Sequence, residues 1–126
     1  MINIREPITA KLKTLCPRVY YERAPIDAQF PYIVYAFPNS FMLDEQEIWV
    51  LDVDIWDKPL SGDTMELDEL SRGVADGLHR LTIYGPAWAQ VYRESRFSLD
   101  DDEPLIRRRK ITFQVRSFDL IKTVGV

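Results

Sequence analysis

Asp52 and Asp54 stand two residues apart with Asp57 close behind, and they are the first residues whose types and spacing could do chemistry. Alternate side chains on a strand share a face, so the two carboxylates would sit roughly 7 Å apart. Such a pair could hold Mg²⁺ in a small nuclease-like site. That chemistry also wants a third acid or a lysine close by, which the spacing does not supply; alternating acids on an outward strand face are more commonly salt-bridged or solvated. Asp100, Asp101, Asp102 and Glu103 form the densest charge run. A calcium loop needs acids at alternate positions, a central glycine and a distal glutamate. The run lacks that spacing and reads as a solvated hairpin tip, or as a tip that docks onto a basic neighbour. Arg107, Arg108, Arg109 and Lys110 follow at once. On a strand they alternate between faces and make no single patch. Phosphate contact, pairing with Glu94 and its neighbours, and pairing with the acidic turn of another chain all stay open. Adjacent acidic and basic runs are self-complementary and could close a ring.

The rest of the reactive inventory is short. The chain has one histidine and one cysteine, which excludes intrachain disulfides and any motif needing two of either. His79 neighbours an apolar helical stripe without belonging to it, and no GxSxG nucleophile motif accompanies it, so it reads as a surface histidine. Cys16, next to Pro17, reads as a partly buried structural thiol. Nothing resembles a nucleotide-binding glycine loop. The aromatic residues fall mainly in strand segments, where core or interface packing explains them; a base-stacking platform is the alternative. No cofactor is expected.

A chain of 126 residues buries roughly two-thirds of its unfolded surface, enough for one core, so a single domain spanning 1–126 is expected. With 46% hydrophobic and 29% charged residues, wholesale disorder is excluded. The formal net charge of −4 argues against a nucleic-acid-coating protein. No apolar run approaches the ~20 residues of a membrane span, and MINIREPI lacks the features of a secretory signal, so no membrane association is expected.

The elements that must position these groups follow from periodicity. Ile4, Ile8, Leu12 and Leu15 make one helical stripe, with Pro7 near the helix start and Pro17 after its end. Arg18–Arg23 and Pro31–Phe37 read as strands, the second ended by Pro38, and Asn39–Glu45 as a polar connection carrying Phe41 and Met42. In Glu47–Asp57, Trp49, Leu51, Val53 and Ile55 face one way and Val50, Asp52, Asp54 and Trp56 the other. Asp63 with Glu66 suggests a capping box, opening a helix with Leu67, Leu70, Val74, Leu78 and Leu81 on one stripe. Gly73 and Gly77 inside it suggest close approach to a sheet. Gly85-Pro86 is punctuation, Trp88–Phe97 and Leu105–Phe118 form a hairpin, and the chain after Asp119 reads as a mobile tail. The expected fold is α+β: a mostly antiparallel five-stranded sheet with two helices packed on one face, in the order α-β-β-β-α-β-β. The opposite face would carry Asp52, Asp54, Lys110, Arg116 and Trp56, a surface suited to another subunit.

The ordered set RVYYERAPIDAQFPYIVY, EIWVLDVDIWDK, LDELSRGVADGL and RRKITFQVRSF resembles the tail completion proteins of long-tailed bacteriophages, also called tail terminators or head–tail joining proteins. The similarity spans about residues 4 to 118 and lies in patterns of hydrophobicity. It implies a non-catalytic structural subunit of a phage or prophage virion tail, assembled in the bacterial host cytoplasm. It also implies a ring of copies of itself, in the family a hexamer, with a tail tube protein and a head connector protein as partners. DNA would pass through without specific binding, which suits an acidic chain because carboxylates repel phosphate. Phe41, Met42, Asp44, Glu45, Asp100, Asp101, Asp102, Glu103, Arg107, Arg108 and Arg109 are the candidate subunit or partner interface. Another head–tail connector adaptor is the alternative, and the Mg²⁺-dependent nuclease using Asp52 and Asp54 is the second.

Overall fold

A computed structural model describes residues 2–44, 46–84 and 87–119. Among them the order is α1 (Ile2–Lys13), β1 (Val19–Tyr21), β2 (Tyr32–Leu43), β3 (Gln46–Asp57), α2 (Met65–Leu78), β4 (Thr82–Ile83), β5 (Ala87–Asp100) and β6 (Arg107–Asp119). The strands form one mixed sheet in the order β1-β2-β3-β6-β5-β4, curled into a half-barrel. This corrects the expected five-stranded, mostly antiparallel sheet and its element order. Two features caused the difference. β4 is only two residues long, too short for any periodic signal, and pairs with Ala89 and Gln90. β1 lies parallel to β2, with Val19 opposite Ile33 and Tyr21 opposite Tyr35. A parallel pair needs a returning connection, which residues 22–31 supply. Bonds from Ile33 N–H to the Arg18 carbonyl and from Glu22 N–H to the Tyr35 carbonyl continue that ladder at 2.9 and 2.8 Å.

One core forms where α1, α2 and the inner sheet face meet. α1 contributes Ile4, Ile8 and Leu12; α2 contributes Leu67, Val74, Ala75 and Leu78; the strands contribute Ile33, Tyr35, Leu51, Val53, Ile55, Val91, Ile111, Phe113 and Val115. The period-two alternation of β3 and β6 therefore aims Leu51, Val53 and Ile55 beside Phe113, Ile111 and Val115 at the helices. Several local expectations are corrected. Pro7 is the sixth residue of α1 rather than close to its start. Thr64, not Asp63, precedes α2, and no Asp63–Glu66 box forms; instead Asp63 Oδ1 accepts from Met65 N–H at 2.9 Å. Gly73 and Gly77 face the end of α1, not the sheet: a Cβ at Gly77 would lie 3.4 Å from Lys11 Cε and 3.6 Å from Leu15 Cδ1. Cys16 is buried, its thiol facing the carbonyls of Arg18 and Pro31. Gly85, Pro86 and the tail beyond Asp119 lie outside the described residues.

Candidate assembly surfaces

The segment expected to be a polar connection is instead the outer half of a long hairpin. β2 continues through Pro38, with the register shift between Ala36 and Asn39 absorbing it, and pairs residue for residue with β3 as far as Leu43 opposite Gln46. A bulge can hold a proline because the missing N–H is not needed in the ladder there. Asp44 turns the chain at φ 49°, a left-handed conformation that aspartate tolerates better than most residues. Phe41, Met42 and Leu43 are 43%, 60% and 54% exposed, although their neighbours in sequence face opposite ways. Both faces of this arm are therefore open. Phe41 lies opposite Ile48, and Ile48 is buried although it faces away from the helices. Glu45, the other tip residue expected at an interface, lies outside the described residues.

The acidic run sits at the far end of the molecule. Glu47 pairs with Ser117 at one end of β3 and Asp57 with Arg107 at the other, so the Phe41–Asp44 arm and the Asp100–Glu103 turn are roughly 30 Å apart at about 3.3 Å per residue. The candidate interface residues thus form two groups at opposite ends of the sheet. In the turn, Asp101 Oδ1 accepts from Glu103 N–H at 3.0 Å, and Glu103 pairs with Lys58 at 3.0 Å. Arg107 donates to the Pro104 carbonyl, closing the hairpin. Exposed Leu60, Met65 and Leu105 share this end of the molecule. Their isolated positions in loops and at a helix start give no periodic pattern in the sequence.

The basic run divides between the two faces. Arg108 points outward and meets Asp54 through Nη2 at 2.9 Å and Nε at 3.0 Å, with its guanidinium 4.8 Å from the Trp56 ring centroid. Lys110 lies 3.7 Å from Asp52, which also accepts from Thr112 Oγ1 at 3.0 Å. Arg109 points to the helix side and meets Asp68 of α2 at 2.8 Å. Glu94, considered as a partner, falls at the bulge between Arg93 and Ser95 instead. The side chain of Asp54 is 13% exposed. Burial pushes its carboxyl above the ordinary aspartate range, while Arg108 and Lys110 pull it partly back. A cation bound between Asp52 and Asp54 would have to displace these partners. No group of three or more His, Cys, Asp or Glu converges among the described residues.

Two participants were absent from the sequence reading. Asp68 holds Arg109, and Arg96 donates to the buried Ser71 hydroxyl at 3.1 Å. Together with Phe97 and Ser98 they line a pocket of about 150 Å³. Burial opposes ionisation of Asp68, but hydrogen bonds from Arg109 and Thr64 and the charges of Arg109 and Arg96 win and hold it below the usual range. The only available signal was the i, i+4 spacing of Thr64 and Asp68; Arg96 and Arg109 reach them through the tertiary fold. His79 accepts a bond from Arg93 N–H at Nδ1, 3.0 Å, and so covers part of the outer edge of β5.

In comparisons with known proteins, no family model matches the chain. No curated protein matches it. Among solved structures, the fold is similar to a chain of a structure described as the virion of a native gene transfer agent particle. The TM-score is 0.68 and the identity 10%, over 88% of this chain and 91% of that one.

Proposed function

We propose that this chain is a structural subunit of a phage-like particle, and within it a tail completion protein that closes the tail tube as a ring and joins it to the head. The observation that carries the reading is the fold shared with a virion chain over nearly the whole length of both. Three features of the molecule support it. Its conspicuous surfaces are two protruding hairpin ends. Arg108, Arg109 and Lys110 on β6 are neutralised by Asp54, Asp68 and Asp52, which suits an acidic chain past which DNA slides. Its paired carboxylates are engaged in ion pairs rather than gathered in a cleft, which favours a non-catalytic role. The partners are further copies of the chain, a tail tube protein on one side and a head connector on the other.

The test is genetic and structural. Particles made without the protein are expected to carry tubes of uncontrolled length and to lack heads joined to tails, and adding the protein back should restore both. Normal tails and full joining in its absence would reject the tail role. Failure to find the protein in purified particles by mass spectrometry would reject the wider reading.

A further inference from the structure

Two strands keep part of an edge open. β1 covers β2 only at Ile33–Tyr35, so from Asn39 to Leu43 the side of β2 away from β3 has no partner strand among the described residues. β4 covers β5 only at Ala89 and Gln90, after which the Leu81 carbonyl meets Val91 N–H and His79 meets Arg93 N–H. From Ser95 to Asp100 the side of β5 away from β6 has no partner strand among the described residues. A row of unpaired N–H and C=O groups is a template for another strand. The open part of β2 lies on one margin of the sheet at the arm end; that of β5 lies on the other margin at the acidic-turn end.

The geometry points to head-to-tail pairing of two copies, in which residues 39–43 of β2 in one subunit lie antiparallel along residues 95–100 of β5 in the next. The direction follows from the topology. β2 opposes β3, β3 opposes β6 and β6 opposes β5, so β2 and β5 of one chain run in opposite directions. A neighbour brought alongside without being turned over therefore offers its β2 antiparallel to β5. In that alignment Asp44, at the tip of the arm, arrives beside Arg96, and Asn39 arrives near Asp100; Arg93, across the bulge, is already paired with Asp76 at 2.8 Å. The charges match: Asp44 has no ion-pair partner among the described residues, and Arg96 makes one hydrogen bond, to Ser71, at the rim of the small pocket next to this edge. The apolar groups match as well, since Leu43 would meet Phe97, itself about half exposed and on the same face of the sheet, away from the helices. Because the two edges differ, each subunit keeps one of each for the next neighbour, and the repeat closes as a ring when its rotation does. The inference rests on the assembly reading and names the partner of the arm as a second copy.

Cysteine pairs test it in the full chain, since Cys16 is buried and silent. Leu43→Cys is combined in turn with Glu94→Cys, Ser95→Cys and Arg96→Cys. A short bismaleimide is applied to free protein at high concentration and to purified particles. The expected result is a ladder of dimers and higher species only when both cysteines are present in one chain, and dimers alone when two single variants are mixed. Asp44→Arg and Arg96→Asp should each cut the ladder several-fold, and the two together should restore it. Cross-linking through Leu43→Cys alone would mean a two-fold arm-to-arm contact and overturn the proposal. So would the absence of a ladder, from both free protein and particles, in variants whose circular dichroism is unchanged. Particles that contain the protein yet give no ladder would overturn this pairing and spare the assembly reading; a ladder from free protein that never enters particles would do the reverse.

Discussion

Arg108 Nη2 lies 2.9 Å from Asp54 Oδ1 on the sheet face opposite the helices, and both side chains are largely withdrawn from water. The pair joins β6 to β3 by a two-pronged contact, Nε and Nη2 converging on one oxygen. Removing one partner leaves the other partly buried without its counter-charge, which costs more than an exposed pair is worth. Arg108→Met, which leaves the more buried Asp54 carboxylate without its counter-charge, is therefore expected to destabilise the fold by about 1–2 kcal/mol, less than for a fully buried pair because solvent still reaches the site. Replacing both, Asp54→Leu with Arg108→Met, is expected to recover most of that loss. Urea unfolding of the two single variants and the double gives the coupling; additive losses would mean that the two residues act independently.

The two perturbed aspartates make opposite contributions to acid stability. Asp54 is held above the unfolded value by burial, so the folded state takes up its proton more readily. Its contribution is fully present below the unfolded pKa and is lost as pH rises through the folded pKa. Asp68 is held below it by Arg109 and Thr64 despite burial. Its contribution is present above the unfolded pKa and is lost as pH falls through the folded one. Carboxyl ¹³C shifts followed by NMR should show Asp54 titrating above 3.8 and Asp68 below it. Asp68→Asn should flatten the loss of stability on the acid side, by a small amount because Asp68 is half exposed and the pair is screened. The reverse order of titration would refute the assigned causes.

Gly73 and Gly77 lie inside α2 without positive φ, where a Cβ would make ordinary contacts with Leu15 and, at Gly77, with the flexible end of Lys11. Alanine there is expected to raise stability by about 0.5–1 kcal/mol at each site through helix propensity alone. Gly62 is the contrasting case: its φ of 77° is strained for any side chain, and Gly62→Ala should cost about 1 kcal/mol although the space around it is open. Thermal melts of the three variants separate the two effects, and destabilisation by Gly77→Ala would mean that the α1–α2 contact cannot yield by a few tenths of an ångström.

What the sequence made legible was governed by period and by local chemistry. The alternation in Glu47–Asp57 correctly separated Leu51, Val53 and Ile55 from Asp52, Asp54 and Trp56, because a residue's face on a strand is a local property. Strand count and direction were not local. Thr82–Ile83 is a strand only because β5 lies beside it, and β1 is parallel only because residues 22–31 carry the chain back. Pro38 looked like an end since proline rarely survives inside a sheet; the bulge that accommodates it is a tertiary arrangement. The same limit applies to the surfaces. Arg107, Arg108, Arg109 and Lys110 were visible as a run, but their separation toward Asp54, Asp68 and Asp52 depends on which elements flank β6.

The arm offers a separation of stability from assembly. Met42 and Leu43 are more than half exposed, and their cross-strand partners are Glu47 and Gln46, both polar. Neither side chain belongs to the core cluster, so lysine at both positions removes little packing and places a positive charge opposite Glu47. Met42→Lys with Leu43→Lys is therefore expected to leave unfolding free energy within about 0.5 kcal/mol of the parent. If the arm is a contact surface, the same variant should enter particles poorly, because two lysines would have to be desolvated where apolar groups were buried. Leu51→Ala supplies the control from the opposite class: Leu51 is fully buried in the core, and its truncation should cost about 3–5 kcal/mol. Assembly is measured as protein per particle after gradient purification, against the unfolding curve of each variant. A lysine variant that folds as the parent does but is depleted from particles assigns the arm to assembly. Full incorporation at unchanged stability would show that Met42 and Leu43 are merely exposed.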